Sequence, residues 1–198
     1  MGEELRLDGE ETVPRQAATV ILLRGGAETL EVLLVRRTPN ARFMGGVWVF
    51  PGGAVDDGED ERDAAVRELA EEAAITVADR DALVPFSRWI TPAEVKTRFD
   101  THFFLAPLPD GAEPAVDGEE IVDLGWFAPA EALEAYSRGE LELVFPTIKH
   151  LEQLALFRSV EELLDHARGL TVRPIEPKVV MSGDSPRVLL PGEPGYDD

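Results

Sequence analysis

The stretch Gly53–Ile75, GAVDDGEDERDAAVRELAEEAAI, decides how this chain is read. Its form is G-x5-E-x7-R-E-L-x-E-E-x-A-I. Asp56-Asp57-Gly58 is turn chemistry, and Asp60 is an N-cap for a helix running to about Ala73. Ala65 and Leu69, with Val66 and Ala73, form the apolar stripe of that helix. Glu68, Glu71 and Glu72 sit at i, i+3 and i+4, so they share one narrow face within about 6 Å of axial rise. Carboxylates crowded like this repel one another. A hard divalent cation, Mg²⁺ or Mn²⁺, is the natural counterpart because such ions take oxygen ligands.

Upstream, Ala17–Leu23 is a short apolar run, followed by Gly25-Gly26 and by Glu31–Arg36. That pattern predicts a β-hairpin. Val47–Phe50 predicts a third strand, closed by Pro51-Gly52-Gly53. Downstream, Val84–Ile90, Arg98–Leu105 and Ile121–Phe127 are strand candidates, with a proline- and acid-rich loop at Pro107–Gly118. Pro129 opens a helix that Gly139 terminates. Thr147–Phe157 and Ser159–Ala167 predict two more helices, the second with Ser159 and Glu162 at capping-box spacing. Residues 171–198 are extended and rich in Pro and Gly. Strands and helices alternate without a regular βαβ rhythm, which predicts a mixed α+β fold rather than a doubly wound sheet.

Composition narrows the partners. The 198 residues carry 39 acidic against 19 basic side chains, a net charge of -20. Duplex nucleic acid is not expected as a partner, because that affinity rests on Lys and Arg neutralising phosphates. A small phosphorylated ligand is compatible, since a metal and a few arginines can set the local field. There are no cysteines, so disulfides, thiolate zinc ligands and thiol nucleophiles are absent. The sequence offers no membrane span and no leader-like N-terminus, and a cytoplasmic protein is expected. His102, His150 and His166 are scattered without metal-ligand spacing, and Trp126 is the tryptophan expected nearest a cleft.

The Gly53–Ile75 pattern resembles the sequence signature of the Nudix hydrolases. It matches at Gly53, Glu59, Arg67, Glu68, Leu69, Glu71, Glu72 and Ile75, with the Phe50-Pro51-Gly52-Gly53 lead-in also typical, and departs at Ala74, where the family has glycine. The resemblance implies an α/β/α sandwich; with the polar character of the first residues and the change of character in the last third, the chain divides into a flexible arm at 1–15, this domain at 16–145, and a helical and extended C-terminal extension at 146–198 packed on the same domain. The resemblance also implies metal-dependent attack of water on the diphosphate of a nucleoside-diphosphate derivative. Glu68, Glu71 and Glu72 would be the catalytic metal ligands, joined by the Gly52 carbonyl and by an outlying acid, Glu119 or more specifically Glu120. The base would be Glu68 or a loop carboxylate. Glu59 and Arg67 would pair to brace the loop against the helix. A left-handed turn at Ala74 would cost about 1 kcal/mol or more, unless the helix ends differently there. This departure also keeps open a non-catalytic, nucleotide-binding member.

A second pattern lies upstream: Leu33-Leu34-Val35-Arg36-Arg37-Thr38, Arg42, Gly46 and Phe50–Gly53. It resembles the motif of the coenzyme A diphosphatase branch, with Val35 and Thr38 as departures. That resemblance implies Arg37, Arg42 and Gly46 as substrate-binding positions and cleavage of coenzyme A to 3′,5′-ADP and 4′-phosphopantetheine. ADP-ribose or another nucleoside-diphosphate derivative is the alternative substrate. The C-terminal extension could cover the site, build a homodimer, or both.

Overall fold

The computed structural model describes residues 12–41, 44–182 and 185–197. Arg42 and the first part of the N-terminal arm lie outside them. The chain order is β1 (Arg15–Arg24), β2 (Glu31–Arg37), β3 (Trp48–Val49), β4 (Gly52–Ala54), α1 (Glu61–Ala73), a 3-10 turn at Arg80–Ala82, β5 (Val84–Ile90), β6 (Phe99–Pro107), β7 (Ile121–Phe127), α2 (Pro129–Ser137), α3 (Phe145–Leu154), α4 (Val160–Arg168), β8 (Pro174–Ile175), β9 (Lys178–Ser182) and β10 (Ser185–Leu189).

β1 is the axis. Its apolar run is buried on both faces, which is why it reads as continuous rather than alternating. One edge pairs with β6 in parallel, from Arg15↔Phe99 to Leu23↔Pro107. The other edge is shared: its first half takes β4 antiparallel and its far end takes β2. β2 also pairs with β3 and β7, and β5 joins β6 to the short β8.

Alternation sorts the core into two layers. Ala18, Val20 and Leu22 face the cluster built on Ala64, Ala65, Leu69 and Ala73 of α1. Ile21 and Leu23 face the other cluster, with Ala132 and Ala135 of α2, Leu151 and Leu154 of α3, and Leu163, Leu164 and Ala167 of α4. The result is the helix–sheet–helix sandwich expected from the sequence, mixed in strand direction.

The α2–α4 layer is fastened by a buried histidine. His150 Nδ1 donates to the Pro146 carbonyl at 2.7 Å, which leaves Nε2 to accept from Ser87 Oγ at 2.6 Å. Its ring packs 4.2 Å from that of Phe103, and burial holds it neutral, with its pKa down to about 4.

Two features depart from the sequence reading. Gly52 and Gly53 are not only a turn: they form β4 against Ala18 and Thr19 of β1. A Cβ at Gly52 would lie 2.4 Å from the Ala18 carbonyl oxygen, so only glycine allows that approach. The Pro- and Gly-rich C-terminus forms β8 and a hairpin, β9–β10.

Candidate active site

α1 begins as its sequence dictates. The Asp60 side chain accepts from the N–H groups of Arg62 and Asp63. Its apolar stripe is buried under the sheet, and that fixes where the acidic face points. The helix ends at Ala74 in the left-handed region, at φ 55° and ψ 25°. The Ala74 N–H bonds to the Ala70 carbonyl at 3.1 Å, and Ile75 N–H to Leu69 at 3.4 Å. Alanine therefore takes the conformation a glycine would take, and the helix end is closed.

Glu68, Glu71 and Glu72 line a cavity of about 340 Å³ together with Asp117, Glu119 and Glu120. Glu72 is the most deeply set, 3% exposed. It accepts from the Gly52 N–H at 2.9 Å, so β4 braces it. Burial pushes its pKa up to about 7; the charges of Glu68 and Glu120 add to this, while the Gly52 N–H and the Arg37 charge oppose it. Burial likewise raises Glu68, against the pull of Arg67. Glu68 rests on Gly53, where a Cβ would come 2.3 Å from Oε1.

Arg67 ties the loop to the helix. It donates to Glu59 at 2.8 and 3.0 Å, to the Ala54 carbonyl at 2.9 Å, to Glu68 at 2.7 Å and to Glu71 at 3.1 Å. The hydrogen bond from Arg67 holds Glu59 below the usual carboxylate range. Glu59 also accepts from the Asp56 N–H.

Asp117, Glu119 and Glu120, on the approach to β7, complete the lining. Arg37 follows Leu33 and Val35, which face the α1 side, and the β2–β7 register slips between Arg36 and Arg37. Such a slip re-aims a side chain. Arg37 acts on the charge of Glu72, and its Nε is buried with no partner among the described residues. Gly46 does not line the carboxylate cavity. At φ 82° it closes the turn behind Arg37, donating to the Arg37 carbonyl at 3.1 Å and accepting from Arg36 Nε at 3.2 Å.

Asp117 was missed by the sequence reading, although Asp-Gly before a strand is a turn signal that could have found it. Its Oδ1 accepts from the N–H groups of Glu119, Glu120 and Ile121 at 2.7, 3.0 and 3.0 Å. Trp126 corrects another expectation. It lies at the far end of β7 from Ile121, with the Arg24 guanidinium 4.4 Å above its ring, and not in the carboxylate cavity. A second hollow, of about 400 Å³, lies between the β1–β2 turn and α4, with Glu161 and Arg168 as its charged lining. It lacks a carboxylate cluster.

This donor set fits a hard divalent cation. It is all oxygen, mutually repelling, and contains a carboxylate whose burial makes its charge costly unless something positive arrives. Among the described residues no group of three His, Asp or Glu side chains is already drawn together around one point. Arg67 is the cation that bridges Glu68 and Glu71.

The site is thus a carboxylate cluster carried on the loop–helix–loop of an α/β/α sandwich. The NUDIX domain family model matches residues 13–146, and the chain belongs to that family, the Nudix hydrolases. It is 30% identical to nudix hydrolase 7 of Caenorhabditis elegans, over 84% of this chain and 68% of that protein. It is 33% identical to the human acyl-coenzyme A diphosphatase NUDT19, over 58% of this chain. Only 32% of that relative's length is matched, so the resemblance covers a part of it. The crystal structure of a NUDIX hydrolase from Alicyclobacillus acidocaldarius superposes with a TM-score of 0.71 at 28% identity, covering 78% of this chain and 96% of that one. Hydrolases of this family generally use divalent metal ions on small nucleoside-diphosphate compounds. Among the described residues no helix is long and apolar enough to cross a membrane.

Proposed function

We propose that this chain hydrolyses the diphosphate of coenzyme A or an acyl-coenzyme A, giving 3′,5′-ADP and a 4′-phosphopantetheine product. The observation that carries the reading is the cavity itself, lined by carboxylates of α1 and of the Asp117–Glu120 loop, with Arg37 near enough to act on the charge of Glu72 and its Nε without a partner among the described residues. Glu68, Glu71, Glu72 and Glu120, with the Gly52 carbonyl, would hold Mg²⁺ or Mn²⁺. The bound ion would neutralise phosphate oxygens and lower the pKa of water. The protein's own residues supply the frame. Arg67 fixes Glu68 and Glu71 relative to Glu59, and Gly52 fixes Glu72. Glu68, or a carboxylate of the loop before β7, would accept the proton from water.

The coenzyme A assignment rests on the Arg37–Gly53 pattern and on likeness to the human acyl-coenzyme A diphosphatase. Arg37 would grip phosphate as a bidentate donor. Arg42 is proposed as a second substrate-binding residue from the sequence pattern alone. The test is a substrate panel with Mg²⁺ and with Mn²⁺: coenzyme A, acetyl-coenzyme A, ADP-ribose, NADH and nucleoside triphosphates. Coenzyme A compounds should be cleaved with the highest kcat/KM, and Arg37→Ala should raise KM for them at least tenfold. Efficient ADP-ribose cleavage with coenzyme A untouched would sink the assignment and favour a general nucleoside-diphosphate pyrophosphatase.

A further inference from the structure

Outside α1, the cavity depends on one short segment, Asp117–Ile121. Glu119 and Glu120 precede β7 and are exposed, and nothing in their own sequence fixes them. Two sets of bonds do. One oxygen of Asp117 accepts from three successive N–H groups, those of Glu119, Glu120 and Ile121. The Gly118 N–H closes on the Ile121 carbonyl at 3.0 Å, with Gly118 at φ 81°. The second set extends the β2–β7 pairing: the Thr38 N–H donates to the Glu120 carbonyl at 2.7 Å. Thr38 directly follows Arg37, whose own backbone is held by Val47 and Gly46.

We infer that Asp117 is a positioning residue that sets Glu120 in the cation-binding cavity and ties it, through Thr38, to the strand end bearing Arg37. This rests on the proposed reading of Glu68, Glu71, Glu72 and Glu120 as cation ligands. Asp117 acts here as a hydrogen-bond acceptor. An oxygen accepting three N–H bonds holds the backbone in one arrangement, and the side chain of Glu120 inherits its origin from that backbone. An asparagine carbonyl oxygen can accept the same three bonds, whereas alanine cannot. Residues that orient a ligand without touching the ion commonly change metal affinity about 10- to 100-fold when removed.

The experiment is calorimetric titration of Mn²⁺, without substrate, into the metal-stripped full chain. The parent is compared with Asp117→Ala, Asp117→Asn and Glu72→Gln, each first shown by circular dichroism to be folded. Asp117→Ala should bind Mn²⁺ about tenfold more weakly. Asp117→Asn should stay within about twofold of the parent, because the acceptor is kept. Turnover should follow the same order, with the loss in Asp117→Ala partly restored by raising Mn²⁺. If Glu72→Gln weakens Mn²⁺ binding and Asp117→Ala does not, the inference is overturned while the metal reading stands. If Asp117→Asn falls as far as Asp117→Ala, the charge of Asp117 matters and the positioning role is wrong. If Glu72→Gln leaves Mn²⁺ affinity unchanged, the metal reading itself fails and this inference goes with it.

Discussion

Glu72 should make the metal-free protein less stable as pH rises, and a divalent cation should reverse that loss. The carboxylate is buried, and its folded pKa stands at about 7 against an ordinary value of 4.5. A group with a raised folded pKa contributes its stability fully below the unfolded value. That contribution is lost as pH rises through the folded value. The shift corresponds to a loss on the order of 3 kcal/mol between about pH 4.5 and pH 7. For a chain of this length that is a fall in Tm on the order of 10 °C. Other groups also titrate in this range, so the useful quantity is the difference between the parent and Glu72→Gln. The amide keeps an oxygen that can accept from the Gly52 N–H, and it carries no charge. Thermal denaturation in EDTA should find the variant about equal to the parent near pH 5 and several degrees more stable near pH 8. Adding Mg²⁺ or Mn²⁺ should stabilise the parent far more at the higher pH, because binding there displaces no proton from Glu72. Turnover in the variant should fall by orders of magnitude at every pH. A parent-minus-variant difference that is the same at both pH values would refute the reasoning.

Ala74→Gly should stabilise the protein by about 1 kcal/mol, because Ala74 already occupies the left-handed region; a Tm rise of about 2–4 °C with unchanged kcat is the expected scan and assay result. Gly53→Ala should cut turnover by at least about 100-fold with the fold retained by circular dichroism, since its Cβ would displace the Glu68 carboxylate. Arg67→Lys should lower kcat at least about tenfold, because an ammonium cannot reproduce the fork that spans Glu59, Glu68, Glu71 and the Ala54 carbonyl; unchanged steady-state kinetics would show that the fork is dispensable.

Much of the sandwich was legible because burial writes itself into spacing. The uninterrupted apolar run of β1 reflects cover on both faces, and the stripe of α1 reflects cover on one. β4 was not legible as a strand. Its glycines have no side chains to alternate, and they are there for close approach to Ala18 and Thr19. The β9–β10 hairpin lies in a Pro- and Gly-rich stretch that masks strand periodicity. In the site, i, i+3, i+4 spacing brought Glu68, Glu71 and Glu72 to one face because a helix makes those positions neighbours. The contribution of Asp117 passes through backbone N–H groups, which leave no mark on the residues they position. Arg37 could be listed from a motif, but the register slip that re-aims it could not.

Three locally unfavourable features gather around this one loop–helix–loop: the buried charge of Glu72, the left-handed alanine at 74, and the Nε of Arg37, unpartnered among the described residues. They are not equivalent. A cation would relieve the first, and an anionic phosphate group would give the third its missing acceptor, so both are deficits that a bound substrate complex can repair. No ligand can change the φ angle of Ala74 or remove its Cβ. Strain of that kind has no counterpart in the chemistry, which is why replacing Ala74 should stabilise the chain without an activity cost, whereas replacing Glu72 should stabilise it only by removing the activity. The pair of substitutions therefore separates strain that serves the site from strain that merely sits beside it.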